Sequence, residues 1–195
     1  MIEVSEIISK VRARLNDNEI DNYLFKDSVL IESLNQAILN ATLEFRMNKE
    51  ITSALLTEEE RFLNIPNLIG IQSAKLDNKE LANRTSIPKD KGEVELLVLG
   101  DRLSVSPFKA GELEVIYFTH IEVNNILETI NLPKIATDVL VYSVISNVLE
   151  IPTNENNLNL IASYRQLLKL AKDNLTNYLN AMYSKNIHFS KVIRV

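Results

Sequence analysis

The feature of this sequence that most constrains its fold is a double change in the spacing of apolar residues. Up to about residue 50, apolar residues recur every three or four positions, which is typical of amphipathic helices. Between residues 51 and 121 they alternate with polar residues, which is the period of a half-buried strand. After Pro133 the helical spacing returns. The spacing therefore predicts helices at both ends of the chain and a β-rich segment between them.

Two helices are predicted before the β-rich segment. The first covers residues 2–15 and places its apolar side chains on one face, with charged residues opposite. The second covers residues 28–47 and begins near Asp27 or Ser28, both of which are good N-cap residue types. Its apolar residues repeat at alternating intervals of three and four, which predicts a narrow seam for packing against another helix.

The segment over residues 51–121 is predicted to be an antiparallel β-meander. Its alternating runs are separated by turn-forming stretches. These stretches are Thr57–Glu60, Asp77-Asn78, Gly100-Asp101 and Phe108–Gly111. Residues 82–92 are polar and contain a proline, so we expect a loop there.

Two further helices are predicted after the β-rich segment. The helix over residues 134–150 is apolar almost all round, so it is either central in the fold or packed against a neighbouring subunit. The final helix, over residues 157–184, carries a heptad seam. The predicted fold is α+β and mainly helical: a four-helix core, two helices N-terminal and two C-terminal, with an inserted β-meander, in a single domain over residues 1–184.

The composition argues against many classes of function. The 195 residues carry a net charge of −5 and include no cysteine, two histidines and four glycines. Disulfides, zinc ribbons and thiol catalysis are excluded, and no glycine-rich nucleotide-binding motif occurs. A mildly acidic chain is also poorly suited to tight binding of DNA or anionic membranes.

The sequence predicts no targeting or membrane-spanning segment. Charged residues interrupt the first fifteen positions at helical intervals, so we expect no signal peptide. The longest uncharged apolar stretch, Val139–Leu149, has eleven residues, whereas a bilayer span needs about 20.

No arrangement of residues predicts a catalytic or metal site. Glu58–Glu60 is the densest run of carboxylates, but its position between two strands indicates a solvated turn. His120 shares strand parity with Glu112, Glu114 and Glu122. On one strand, however, Glu112 and His120 would lie about 26 Å apart, which is too far for both to bind one ion. We therefore expect no enzyme activity and no cofactor.

Residues 185–195 are predicted to form an interaction tail. The segment is apolar, β-prone and basic, and if it is extended, alternate residues from Ile187 to Val195 face the same way. We expect mixed apolar and charge-assisted contacts with a protein partner. The predicted contact residues are Lys185, Ile187, Phe189, Lys191, Ile193, Arg194 and Val195.

Two blocks of the sequence resemble the head–tail adaptor (connector) proteins of tailed bacteriophages. The first is EIISKVRARLNDNEIDNYLFKDSVLIESLNQAILNATLEF, residues 6–45, with an Arg-x-Arg-Leu-Asn-Asp stretch and the signature Leu34-Asn35-Gln36-Ala37. The second is GDRLSVSPFKAGELEVIYFTHIEVNNILETINLP, residues 100–133. It is similar to the family's strand–Pro–turn–strand unit followed by a Leu-Pro that opens the next helix. The chain departs from the pattern at residues 82–92 and beyond Tyr183.

The resemblance implies a structural protein without enzymatic activity. Such proteins form a ring beneath the portal, so it implies a homo-oligomer, twelvefold to match the portal, that contacts portal protein above and a tail or stopper (nozzle) protein below. Double-stranded DNA would pass through the lumen without sequence-specific binding during genome ejection. The implied location is the virion neck, with assembly in the host cytoplasm. Within the ring, the apolar helix would contribute Val141, Val144 and Val148 to the subunit interface.

Two other functions remain open from the sequence. One is a helical DNA-binding or regulatory module, which the lack of a basic recognition helix disfavours. The other is a small hydrolase, which the lack of a recognisable nucleophile disfavours.

Overall fold

The structure, a computed structural model, describes residues 1–17, 19, 23–150 and 157–183. The helices of this part of the chain are α1 (Val4–Leu15), α2 (Asp27–Phe45), α3 (Thr137–Leu149) and α4 (Asn157–Tyr183). The strands are β1 (Ile2–Glu3), β2 (Lys49–Leu56), β3 (Leu63–Asn64), β4 (Leu68–Leu76), β5 (Lys79–Glu80), β6 (Arg84–Thr85), β7 (Glu95–Leu99), β8 (Arg102–Ser106), β9 (Gly111–Thr119) and β10 (Thr129–Ile130).

The chain divides into two compact units. The helical unit combines Met1–Ala37 with Val123–Val195, and the β unit consists of Ile38–Glu122. The β unit is therefore inserted between the two halves of the helical unit. The boundary falls within α2, whose first eleven residues belong to the helical unit and whose remainder belongs to the β unit.

The helical unit has an apolar core in which α3 is central. Helix α3 packs against both α1 and α4, and most of its side chains are buried. The short strands β1 and β10 pair antiparallel at the start of the unit. A 3₁₀ turn at Lys134–Ala136 precedes α3 and follows Pro133, whose missing N–H removes no bond at this position. Fully buried residues of this core include Ile7, Leu30, Leu34, Leu140, Ile145 and Leu175.

The prediction of a mainly helical protein with an inserted meander is wrong. Helices account for 42% and strands for 27% of the described residues, and the strands form three sheets. In the β unit the sheet orders are β2-β9-β4-β5 and β3-β8-β7-β6. Strand β2 pairs with β9, about sixty residues later in the chain, and β6 runs parallel to β7. The reason is that alternation fixes which face of a strand is buried but does not choose its partner.

An apolar core lies within the β unit. Leu113 and Val115 of β9, Leu96 of β7, and Leu103 and Val105 of β8 are buried in one cluster. Alternate residues of β9 therefore face this core, while Glu112 and Glu114 lie on the other face. The two sheets supply the same core from different strands, which is the layered arrangement that antiparallel sheets require.

Two tight turns fix strand register in the β unit. The turn between β4 and β5 consists of Asp77 and Asn78, both with positive φ, which Asp and Asn tolerate better than other side chains. Gly100, with φ of 62°, occupies the corresponding turn between β7 and β8. Both were predicted as turn formers.

Candidate interaction surface

A buried ion-pair network joins the end of α1 to the start of α2. The Arg12 guanidinium donates to Asp17 Oδ2 at 2.5 Å, to Asp27 Oδ1 at 2.6 Å and to the Phe25 carbonyl oxygen at 2.9 Å. It also lies 3.5 Å from the centroid of the Tyr23 ring. The Arg12 side chain is 7% exposed and that of Asp17 is 2% exposed, so the pair is withdrawn from water. A planar fork of donors suits this role, because several acceptors are held at once.

A second polar anchor fixes the chain where it returns from the β unit to the helical unit. Asn35 of α2 donates from Nδ2 to the Val123 carbonyl oxygen at 2.9 Å. The Val123 N–H donates back to Asn35 Oδ1, also at 2.9 Å. The amide therefore pairs with both backbone groups of one buried residue, as a neighbouring strand would. Both anchors belong to the first block on which the resemblance to adaptor proteins rests.

The predicted subunit interface on α3 is corrected by the burial of its residues. Val141, Val144 and Val148 are all 0% exposed within the chain. Their side chains have no surface left for a neighbouring subunit, because α1 and α4 of the same unit cover α3. The all-round apolar pattern of this helix indicates a central position, the other of the two readings that the sequence left open.

Helix α4 instead presents an exposed row of leucines. Leu160, Leu167 and Leu170 are 45%, 39% and 59% exposed, respectively. Their spacing of seven and three residues places them along one side of the helix. Ala171 and Leu175, on the neighbouring side, are buried. We call Leu160, Leu167 and Leu170 the α4 stripe. The sequence contains its signal, since these leucines fall outside the predicted heptad seam of the final helix, which includes Tyr164, Ala171 and Leu175.

Polar and aromatic contacts hold the first half of α4 in place. The Tyr164 hydroxyl donates to the Arg14 carbonyl oxygen at 3.0 Å, at the C-terminal end of α1. Its ring lies 6.3 Å from that of Tyr142 in α3. The Arg14 guanidinium lies 5.2 Å from the Tyr142 ring centroid. The α4 stripe is therefore carried on a helix whose orientation is fixed by its own unit.

The predicted interaction tail lies outside the described residues. This applies to each of its contact residues, from Lys185 to Val195. Their assignment to a protein partner stays a prediction.

Cavities of the β unit are lined by mixed polar and apolar groups. One of about 590 Å³ is bordered by Asp77, Lys79, Glu80, Glu93 and Lys109 among others. Oδ1 of Asp77 accepts from the Glu112 N–H at 3.0 Å, so this carboxylate is engaged by the fold. No serine or histidine appears among the described residues that line this cavity. The lining therefore offers charge but no pairing of a nucleophile with a base.

Two side chains in the described part of the chain have shifted pKa values, and each shift has a local cause. The Lys10 ammonium, 2.6 Å from Glu6 Oε1, lowers the pKa of the exposed Glu6 carboxyl. Burial raises the pKa of Tyr117, and the Glu50 carboxylate that accepts its hydroxyl at 3.2 Å raises it further. Neither group lines the cavity described above.

The residues considered for a metal site do not converge. Among the residues that the structure describes, no group of three or more His, Asp or Glu side chains is placed to hold a metal ion. Nδ1 of His120 is buried without a hydrogen-bond partner, and the His120 backbone N–H donates to the Asn67 carbonyl oxygen at 3.0 Å. Glu58–Glu60 is exposed, as predicted, in the turn between β2 and β3. No helix within the described ranges is long and apolar enough to cross a membrane.

No protein-family model matches this sequence, and a search of curated proteins finds no significant similarity.

Proposed function

We propose that the protein is a structural head–tail adaptor of a tailed bacteriophage. In this role copies of the chain form a ring beneath the portal, twelvefold to match it, and link the portal protein to a tail or stopper protein. Double-stranded DNA passes through the lumen without sequence-specific binding. The protein acts at the virion neck, after assembly in the host cytoplasm, and does its work through interfaces.

The observation that carries this proposal is the structural role of residues in the sequence block that resembles adaptor proteins. Arg12 and Asn35, which belong to the matching block at residues 6–45, both form hydrogen bonds to the backbone of the helical unit, buried for Arg12 and partly buried for Asn35. These are architectural roles, since each side chain fixes a connection between elements. A motif built from such residues is expected in a family that shares a scaffold.

The α4 stripe supports the ring. An isolated exposed leucine is ordinary, but three along one side of a helix form an apolar surface that association would bury. In a ring each subunit uses one surface to contact the next and a different surface to receive the previous one. The α4 stripe is suited to be one member of such a pair.

Assembly with portal protein is the direct test. The purified chain is mixed with the portal protein from the same genome and examined by electron microscopy and by light scattering after size exclusion. We expect a ring of this chain on the portal. Leu160→Glu together with Leu167→Glu is expected to raise the protein concentration needed for ring formation at least tenfold, because two charges would be buried in the interface. Leu127→Glu, at a position 87% exposed in the same unit, is the matched control.

Other outcomes separate the rival functions. A monomer that does not bind portal protein and hydrolyses a substrate would overturn the adaptor proposal. A salt-sensitive shift of duplex DNA at physiological ionic strength would instead favour the regulatory module. Rings that form equally well with both leucines replaced would leave the adaptor role intact but remove the α4 stripe from the interface.

A further inference from the structure

Strand β2 is an open edge of the β unit. It lies at the end of the sheet ordered β2-β9-β4-β5, and β9 is its only partner strand among the described residues. All eight of its residues pair with β9 on one side, so the backbone groups on the other side face outward over the same length. Ile51 and Leu55 on this strand are 68% and 67% exposed.

The β2 edge lacks the devices by which proteins usually protect such strands. Exposed edges are commonly shortened, bulged, or guarded by proline and charge. Over residues 51–56 the strand reads ITSALL, with no charge and no proline, and its pairing with β9 is continuous. The charged residues of β2, Lys49 and Glu50, are confined to its first two positions. The rest of this regular edge is a template for one more strand.

We propose that the β2 edge is covered by residues 185–195 of a second copy of this chain, added as a fifth strand. An eleven-residue segment is long enough for the eight residues of β2. Addition of an extended segment to an exposed edge uses main-chain hydrogen bonds for affinity and alternate side chains for specificity. The inference rests on the proposed ring and names one of its contacts.

The side-chain patterns of the two segments match. On the face of β2 turned away from the core, Ser53 is flanked by Ile51 and Leu55. In the tail, Lys191 is flanked at the same spacing by Phe189 and Ile193. If Lys191 lies beside Ser53, Phe189 and Ile193 lie beside Ile51 and Leu55. This holds whether the added strand runs parallel or antiparallel to β2.

Charge complementarity favours the same register. Ser53 is paired in the sheet with Glu114 of β9, whose carboxylate also forms an ion pair with Lys75 of β4 at 3.2 Å. A strand added at β2 places Lys191 two strand spacings from Glu114, about 10 Å between backbones. The small side chain of Ser53 leaves room for these two long side chains to meet above it. The tail also carries Lys185 and Arg194 and contains no acidic residue, whereas the chain as a whole is acidic.

A donor tail on one copy and an acceptor edge on another form a heterologous interface. Interfaces of this type generate closed rings when the rotation between neighbours closes. Occupation of the β2 edge by a second copy is therefore one arrangement that can close the proposed ring, and it removes the open edge from every subunit.

Disulfide trapping tests the contact directly, because the natural chain contains no cysteine. Ser53→Cys is made in an untagged full-length chain and Lys191→Cys in a tagged full-length chain. Directly opposed residues of adjacent strands have Cα atoms about 4.5–5.5 Å apart, which is within reach of a disulfide. We expect oxidation of the mixture to give a cross-linked tagged–untagged dimer. Leu127→Cys in place of Ser53→Cys is the matched control, expected to cross-link at least tenfold less.

The chain that carries both cysteines distinguishes a second copy from the same copy. We expect a ladder of cross-linked species under non-reducing conditions. An intramolecular disulfide without the ladder would overturn the assignment to a second copy. Cross-linked dimers without rings in the microscope would support the tail contact and overturn the ring. Rings without any cross-link would overturn the tail contact and leave the ring proposal standing.

Affinity measurements test the side-chain match. A fluorescent peptide of residues 185–195 is titrated against a full-length chain whose own tail carries Phe189→Asp, with anisotropy as the readout. Ile51→Glu and Leu55→Glu in that chain are expected to weaken binding at least tenfold. Glu114→Lys is expected to weaken binding of the natural peptide about threefold, with recovery for a Lys191→Glu peptide. Binding unchanged by all these substitutions would contradict the proposal.

Discussion

The two units of the molecule are stabilised in different ways. Within the helical unit, the Arg12–Asp17 ion pair and the Asn35 amide bind backbone groups and fix where helices begin and where the chain returns. Both units have an apolar core, but the β unit relies on its continuous apolar cluster without a buried ion pair among the described residues. Among the described residues, Arg12 and Asp17 are the buried charged side chains, and both belong to the helical unit.

The two units should tolerate different kinds of substitution. A buried charged anchor depends on the chemistry of its partners, because the removal of one leaves the other desolvated and unpaired. An apolar core depends mainly on volume and shape, so it accepts similar side chains. The helical unit should therefore be sensitive to substitutions that preserve size, whereas the β unit should be sensitive to substitutions that reduce size.

The largest effect is expected from Arg12→Met, which keeps length but removes the charge. Asp17 would remain buried without its ion-pair partner, although the Leu24 N–H still donates to its Oδ1 at 2.6 Å. We expect a loss of about 3–5 kcal/mol in the free energy of unfolding. Urea denaturation followed by circular dichroism measures it.

Arg14→Met is the control for this experiment. Arg14 lies two residues away on the same helix and is only half-buried, with its guanidinium over the Tyr142 ring. We expect a loss of about 1 kcal/mol or less. Equal losses for the two variants would show that the buried anchor is no more important than a surface contact.

In the β unit the corresponding contrast is between two substitutions of Leu103. This residue of β8 is 0% exposed. Leu103→Ala leaves a cavity and is expected to lower the free energy of unfolding by about 2–5 kcal/mol. Leu103→Met conserves volume and is expected to lower it by less than about 1.5 kcal/mol. If the two substitutions had the same effect, the β unit would not be governed by volume, and the comparison with Arg12→Met would fail.

Much of the local structure could be predicted from the sequence, because it depends on neighbours in the chain. The apolar periodicity located α1 and α2 to within two residues at each end. The strands around Gly100-Asp101 were also located by alternation and turn chemistry. The pairing of β2 with β9 could not be predicted, since it depends on which distant strand shares the core. That long-range pairing separates the observed sheets from a meander.

The candidate interaction surface was predicted only in part. The apolar pattern of α3 shows that this helix is largely buried, but a single sequence does not show whether its own unit or a neighbour covers it. The structure shows that its own unit does so at Val141. The Arg12 anchor was read from the sequence only as part of a charged helix face. Its burial follows from three acceptors that the fold gathers around it.

The smallest expected effect is a pH dependence in the β unit. Burial and the Glu50 carboxylate raise the pKa of Tyr117 above its ordinary value of 10.0. The folded state then holds this proton more tightly than the unfolded state does. The contribution to stability is fully present below pH 10 and is lost as the pH rises through the pKa of the folded state. We therefore expect the wild-type urea midpoint to fall above pH 10.

Tyr117→Phe isolates the contribution of this hydroxyl from those of other groups that titrate in alkali. We expect its urea midpoint to fall less steeply than that of the wild type between pH 9.5 and 11, while Glu50→Gln gives an intermediate slope. Parallel curves for all three proteins would exclude a raised pKa at Tyr117. The β unit would then contain no charge-dependent contact at Tyr117, and the two units would differ more strongly, because the helical unit contains the buried Arg12–Asp17 ion pair.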